Sequence, residues 1–207
     1  MIESNELSNK ILIEIKKSKK YQDISDEIIK DEIIKYLNKN PNLIKKNKLK
    51  KNNLSQIKAN LHRIYASYQT SNKNKRTKLI NQLKDNKENP QIINDLLKTH
   101  RSTYERLIFY TSLYKDIFKI TNKPETINDL GCGLNPISIP LMNLKKIKYH
   151  AYDIEKSEII ILNDFFNILK IQAKADILDT KDLEKIKNIP NSDIIFMFKL
   201  IDLIDTK

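Results

Sequence analysis

Glycine is nearly absent from this chain of 207 residues, which contains only Gly131 and Gly133. An average composition of about 7% glycine would place roughly 14 in a chain of this length. Other residues must therefore form most of the turns, and glycine is expected only where its missing Cβ is required. Such a requirement arises where the backbone has a positive φ angle or closely approaches a ligand.

Cysteine and long apolar runs are also scarce. The single cysteine, Cys132, excludes an internal disulfide and suits a reducing compartment, so we expect a cytoplasmic protein. With only three histidines beside that cysteine, we expect no metal site. No uncharged apolar stretch approaches the length of about 18 residues that spans a bilayer. Glu3, Glu6 and Glu14 are unlike a signal peptide, and no membrane association is expected.

Acidic residues are missing from one long segment, residues 39–84, which holds 13 Lys and Arg residues. Residues 1–100 carry 22 basic and 11 acidic residues, whereas residues 101–207 carry 16 and 15. A general preference for lysine would enrich both halves alike. The asymmetry indicates a surface for a phosphate backbone, and a solvated Lys-rich helical face is the alternative interpretation.

The first hundred residues have the apolar spacing of amphipathic helices. Ser25 is a candidate N-cap, and Asn89-Pro90 is a typical helix start. We therefore predict an all-α domain over residues 1–100.

Strands and helices alternate from about residue 120. Strands are predicted at residues 126–130, 148–153, 171–176 and 193–198. Helices are predicted at residues 136–144, across the apolar positions from Ile159 to Leu169, and around Leu183 and Ile186. This alternation predicts an α/β domain with a doubly wound parallel sheet over residues 101–207.

The two glycines lie directly after the first predicted strand, in Asp129-Leu130-Gly131-Cys132-Gly133. Asp153 ends the second strand, where an acidic residue can accept from ribose hydroxyls, and Asp176 ends the third. Because the carboxyl ends of parallel strands share one edge, these residues predict a nucleotide-type cofactor site. For each Asp, a helix cap or turn residue is the alternative.

The residues after the glycines narrow the class of cofactor. A dinucleotide fingerprint needs a third glycine at the position where Pro136 stands. A pyrophosphate is therefore disfavoured, and S-adenosylmethionine (SAM), which has no phosphate, is favoured.

A second motif is His100-Arg101-Ser102-Thr103-Tyr104-Glu105-Arg106. Ser102 and Glu105 match a Ser-x-x-Glu capping box before an apolar run. Arg106 would then project from the first turn of that helix, where its guanidinium can bind a carboxylate.

These motifs are joined by Leu134-Asn135-Pro136, Tyr152-Asp153-Ile154 and Phe198-Lys199-Leu200, and by Leu61-His62-Arg63-Ile64 upstream. In this order they resemble the aminoglycoside-resistance 16S rRNA (guanine-N7) methyltransferases of the Arm/Rmt type, over nearly the whole chain. The resemblance implies a Rossmann-like SAM-dependent methyltransferase sheet preceded by an all-α N-terminal domain. It also implies methylation of N7 of a guanine in the decoding site of the 30S subunit, which blocks aminoglycosides.

The resemblance implies site residues as well. Those on the methionine side of SAM would be Tyr68, His100, Arg101, Ser102 and Arg106. Those elsewhere around SAM would be Gly131, Gly133, Asp153, Ile154, Asp176, Ile177 and Leu200. Lys199 is our candidate for contact with the RNA or the target base, and a lysine snorkelling at the sheet rim is the alternative.

The resemblance also sets expectations for partners and length. Residues 39–84 would contact 16S rRNA in the 30S subunit, and a monomer is expected. Family members continue for several dozen residues beyond the Phe-Lys-Leu motif, so the sheet is expected to be C-terminally incomplete, as in a truncated or split gene product. Two alternatives are a non-catalytic RNA-binding remnant and a SAM methyltransferase that acts on another RNA or a small molecule.

Overall fold

The computed structural model describes residues 2–46, 51–62, 71–87, 89–198 and 200. The chain divides into two compact units, Met1–Ser67 and Tyr68–Lys207. The division lies before the domain boundary predicted at residue 100, because apolar residues between 80 and 97 belong to the same core as the sheet. Within the described ranges, no helix combines the length and apolarity needed to cross a membrane.

The first unit is helical, as predicted. Its helices are α1 (Ile2–Lys16), α2 (Asp26–Lys39), α3 (Pro41–Lys46) and α4 (Lys51–Leu61). The predicted cap at Ser25 is confirmed, since its Oγ accepts from the backbone N–H of Ile28 at 3.4 Å. The apolar faces of α1, α2 and α4 pack together through buried Leu7, Ile11, Ile15, Ile29, Ile33, Leu37, Ile57 and Leu61.

The second unit contains further helices and a sheet. The helices are α5 (Arg76–Asp85), α6 (Pro90–Leu97), α7 (Arg101–Arg106), α8 (Tyr110–Thr121), α9 (Lys156–Leu169) and α10 (Leu183–Lys187). The predicted start of α6 is confirmed, because Asn89 Oδ1 accepts from the backbone N–H groups of Gln91 and Ile92.

The sheet has four described strands, β1 (Thr126–Leu130), β2 (Lys148–Asp153), β3 (Ala173–Ile177) and β4 (Ile194–Phe196). All pairs are parallel and the order is β3-β2-β1-β4. The bounds predicted for β1 and β2 are confirmed, whereas β3 begins two residues later than predicted and β4 is shorter. The strand order reverses at β1, and open α/β sheets bind ligands at the carboxyl edge of such a reversal.

The segment after the two glycines differs from its prediction. It is a 3-10 helix, Asn135–Met142, instead of an α-helix over residues 136–144. Pro140 lies inside it and has no N–H to donate to a carbonyl four residues earlier. The segment ends at Asn143, which has a left-handed φ of 53°.

Two basic residues of the predicted phosphate surface lie within the fold. Arg76 is only 2% exposed, and its Nη1 is 3.1 Å from Glu158 Oε1 on α9. Arg76 also donates to the hydroxyl and the carbonyl of Thr99, at 2.9 and 3.0 Å. Lys73 forms an ion pair with Glu155. Arg76 is therefore too buried to face RNA, and Lys73 is partly buried beside a carboxylate, so neither is a freely exposed cation of the predicted surface.

Candidate functional site

The bend after β1 requires both glycines, as predicted. The φ angles of Gly131 and Gly133 are 63° and 50°, in the left-handed region that side chains disfavour. A Cβ on Gly131 would lie 2.7 Å from Leu200 Cδ1, and one on Gly133 would lie 2.9 Å from two atoms of the His100 ring. The close neighbours of the bend are thus side chains of the protein itself.

The Asp153 side chain connects this bend to the end of β2 through a hydrogen bond. Its Oδ2 accepts from the backbone N–H of Gly133 at 2.8 Å. Its Oδ1 accepts from the N–H groups of Ile154 and Glu155, at 2.7 and 3.0 Å. Burial raises the pKa of Asp153 to about 6, against the lowering effect of these hydrogen bonds. A carboxylate oxygen can accept two hydrogen bonds, so Oδ2 retains capacity for a ligand hydroxyl.

The end of β3 lies beside the end of β2. Tyr152 pairs in register with Asp176, and Asp153 pairs with Ile177. The side chain of Asp176 is 42% exposed and lies 2.9 Å from the ammonium group of Lys174. Asp176 and Ile177 therefore occupy the predicted edge of the sheet and are accessible there.

The capping box predicted for Ser102 and Glu105 is wrong. Helix α7 begins earlier, at Arg101, and follows His100, whose side chain makes no capping hydrogen bond. Ser102 lies inside the helix, and Glu105 instead accepts from Arg101 Nε at 3.2 Å. Arg106 consequently lies in the last turn of the helix, not in the first. The Arg101 side chain is exposed and pairs with Glu105, so the structure does not bring this predicted SAM-binding residue to the bend.

Arg106 makes its hydrogen bonds and ring contacts with uncharged groups. Its Nη1 donates to Ser102 Oγ at 2.8 Å, and its Nη2 donates to Asn135 Oδ1 at 3.4 Å. The guanidinium carbon is 5.6 Å from the Tyr110 ring centroid and 5.0 Å from that of Phe198. Among described residues, no carboxylate forms an ion pair with Arg106, and its buried Nε has no acceptor. The guanidinium is therefore available to an anion.

A buried polar network continues from Arg106 into β1. Asn135 Nδ2 donates to Asp129 Oδ2 at 2.8 Å, and Tyr149 OH donates to the same oxygen at 2.7 Å. Tyr110 OH donates to Asn135 Oδ1 at 3.0 Å. Burial raises the pKa of Asp129 to about 6. Sequence patterns did not predict this network, although a carboxylate within a buried strand is itself a signal that hydrogen-bond partners are required.

His100 connects the bend to the buried ion pair. Its ring packs against Gly133, and its Nε2 is 3.7 Å from Glu158 Oε1. Burial, followed by the charges of Arg76 and Arg106, lowers the pKa of His100 to about 3, so the ring is neutral. Burial also raises the pKa of Glu158.

The structure therefore assembles part of the predicted site. Around the bend and the Arg106 network it brings together His100, Ser102, Arg106, Gly131, Gly133, Asp153, Ile154 and Leu200. Tyr68 and Lys199 lie outside the described residues. Among the described residues, no group of His, Cys, Asp and Glu side chains is arranged so that it could hold a metal ion.

A family model described as ribosomal RNA methyltransferase (FmrO) matches residues 17–207. The chain belongs to this family. The resemblance recognised from the motifs is thereby confirmed, and the family's name describes enzymes that modify ribosomal RNA.

Two curated relatives carry the name 16S rRNA (guanine(1405)-N(7))-methyltransferase. The protein of Proteus mirabilis is 33% identical over 117 residues, which are 53% of this chain and 39% of the relative. That of Micromonospora echinospora is 27% identical over 161 residues, 74% of this chain and 58% of the relative. The chain thus spans between 39% and 58% of the length of these relatives in the FmrO family.

Solved structures show that the fold is that of the 16S rRNA methyltransferases. RmtF in complex with S-adenosyl-L-homocysteine matches with a TM-score of 0.77 at 20% identity, over 96% of this chain and 71% of RmtF. RmtB matches with a TM-score of 0.74 at 22% identity, over 96% of this chain and 74% of RmtB. The predicted methyltransferase sheet is confirmed in this FmrO family member.

The contact between Gly133 and His100 predicts an energetic coupling. Gly133→Ala should lower the free energy of unfolding by about 1–2 kcal/mol from its left-handed φ alone, and further through the contact with the ring. In a His100→Ala background, the second contribution should disappear, so the substitution should cost about 1 kcal/mol less than in the wild type. Urea denaturation of the four proteins measures this difference.

Gly131→Ala is the matched control, because its new Cβ meets a flexible end of Leu200. Its cost should be the same with and without His100. An equal cost of Gly133→Ala in the two backgrounds would show that the ring does not constrain the bend.

Proposed function

We propose that this chain provides the cofactor-binding part of a SAM-dependent methyltransferase that acts on N7 of a guanine in 16S rRNA of the 30S subunit, and that it confers aminoglycoside resistance. The observation that carries this proposal is the family match over residues 17–207. The names of the curated relatives support the target atom, the guanine N7.

The residues present fit SAM as the cofactor. Arg106 is a cation with a free buried donor and no acidic partner among the described residues, which suits the carboxylate of the methionine portion. Asp153 has acceptor capacity left for a ribose hydroxyl. Ile154, Asp176, Ile177 and Leu200 are proposed to contact the adenosine portion, with Gly131 and Gly133 beside the methionine portion. Tyr68 and Lys199 stay proposals from the resemblance.

The proposed chemistry makes small demands on the protein. SAM supplies a methyl group activated by its sulfonium. Guanine N7 has a lone pair at neutral pH, so its attack needs no general base, and the residues of the site need only hold the reactants in line. The low pKa of His100, about 3, makes its ring a weak base, which agrees with this requirement. Because N7 faces the deep, narrow major groove of A-form RNA, the target base is expected to be splayed out of its helix.

The remaining basic residues between 39 and 84 are proposed to contact the rRNA. Once Lys73 and Arg76 are set aside, exposed lysines remain in both units: Lys39 and Lys51 in the first, and Lys75, Lys78 and Lys84 in the second. A ribosomal substrate would place the protein in the cytoplasm, and the monomeric state stays a prediction.

Transfer of a labelled methyl group from SAM to 30S subunits is the direct test. We expect label in 16S rRNA as 7-methylguanine, identified by nuclease digestion and mass spectrometry. Arg106→Ala should abolish SAM binding and incorporation, whereas the solvent-exposed Arg101→Ala should not. Saturable SAM binding without any label in rRNA would contradict the proposed substrate. Equal transfer to free nucleosides would favour a small-molecule enzyme.

Affinity for S-adenosylhomocysteine should depend on pH through Asp153. Its pKa is raised to about 6, and the ionised form accepts from a ribose hydroxyl much more strongly than the neutral acid does. Affinity should therefore be constant above about pH 7 and fall as the pH drops through 6, to about one tenth at pH 5. Calorimetric titrations across this range measure it. The variant Asp153→Asn should bind S-adenosylhomocysteine weakly, and its affinity should not fall as the pH drops through 6. Asp129, which has a similar pKa, remains in this variant and is expected to make no such contribution. A step that persists in this variant would assign the titration elsewhere.

Binding of 16S rRNA should lose salt dependence when a contacting lysine is removed. Lys78→Glu should reduce the slope of log affinity against log salt by about 0.7–0.9 for each lost phosphate contact. Filter binding at several salt concentrations measures the slope. Lys115→Glu makes the same charge change on the exposed face of α8 and should leave the slope unchanged. Equal reductions in both variants would indicate a general charge effect.

A further inference from the structure

Asn135 lies between two side chains of opposite charge. Its Nδ2 is 2.8 Å from Asp129 Oδ2, and its Oδ1 is 3.4 Å from Arg106 Nη2. The amide can take only this orientation, because the carboxylate accepts hydrogen bonds and the guanidinium donates them. Asn135 is itself only 1% exposed, so water does not replace either contact.

This arrangement keeps Arg106 and Asp129 from pairing directly. Among the described residues, Arg106 forms no ion pair. It donates hydrogen bonds to the hydroxyl of Ser102 and to the amide oxygen of Asn135. Aromatic rings of Tyr110 and Phe198 lie near the guanidinium at 5.6 and 5.0 Å. Neutral groups thus fix the position of Arg106 and leave its guanidinium without a direct ion pair among the described residues.

We propose that Asn135 is a positioning residue that holds Arg106 in place and keeps it from a direct ion pair with Asp129, so that the guanidinium selects a cofactor bearing a carboxylate. The inference rests on the proposed function in taking the methionine carboxylate of SAM as that anion. A carboxylate at position 135 would occupy the guanidinium and compete with the ligand. An uncharged amide of the same shape orients it and leaves the charge for binding.

Two ligands separate this role from general support of the fold. S-adenosylhomocysteine carries the amino-acid carboxylate, whereas 5′-methylthioadenosine has the same adenosine and thioether without it. The wild-type chain should bind the first at least about tenfold more tightly, since charge-assisted hydrogen bonds add that much. At about pH 8, Asn135→Asp should reduce this preference about tenfold and leave affinity for 5′-methylthioadenosine nearly unchanged. Asn167→Asp, which adds the same charge on the exposed face of α9, is the matched control.

A second variant keeps the number of buried charges unchanged, so that it controls for destabilisation of the fold by an added charge. The double substitution Asp129→Asn with Asn135→Asp exchanges the two groups, so that the buried charge is retained but lies next to Arg106. It should lose the preference for S-adenosylhomocysteine as Asn135→Asp does. Isothermal calorimetry with both ligands, beside circular dichroism for folding, measures the effect in every variant.

The outcomes distinguish this inference from the proposed function. A wild-type chain that binds neither ligand would overturn both. A wild type that prefers S-adenosylhomocysteine, with variants that retain the preference, would overturn only the role of Asn135. Equal weakening of both ligands in a folded variant would also overturn it, because a merely structural residue gives that result.

Discussion

One hydrogen bond, from the backbone N–H of Gly133 to Asp153 Oδ2, joins the bend after β1 to the end of β2. The donor can point at the carboxylate only because the bend passes through two left-handed residues. That geometry brings the backbone against the His100 ring on one side and Leu200 on the other. The parts of the candidate site that come from α7, β2 and the segment after β4 therefore depend on this bend.

Sequence patterns predicted the elements whose causes are local. The bounds of β1 and β2 were correct, and Ser25 and Asn89 cap their helices, because apolar runs and capping side chains act over a few residues. The two glycines correctly indicated the position of the bend, because both have the left-handed φ angles that other residues disfavour. A ligand was expected to require the missing Cβ atoms, whereas the structure shows His100 and Leu200 in contact there, which no local pattern reveals.

The failures of prediction have tertiary causes. Ser102 and Glu105 have the spacing of a capping box, yet α7 begins before them, and Ser102 accepts from Arg106 instead. Charge counting failed similarly at Arg76, because a count cannot tell which cation faces a buried carboxylate such as Glu158. The same pair attaches α5 to α9 and so to the sheet, across the domain boundary that was predicted at residue 100.

The buried polar groups beside β1 are difficult to explain by stability alone. Asp129 Oδ1 is buried without a hydrogen-bond partner among the described residues, and such an oxygen costs about 1–3 kcal/mol. Apolar residues of similar volume often replace buried charges without loss of stability. What apolar residues cannot do is accept from Tyr149 and Asn135 and thereby fix the amide that faces Arg106. The free-energy cost of burying Asp129 is explained if its role is to orient the Arg106 guanidinium and not to stabilise β1.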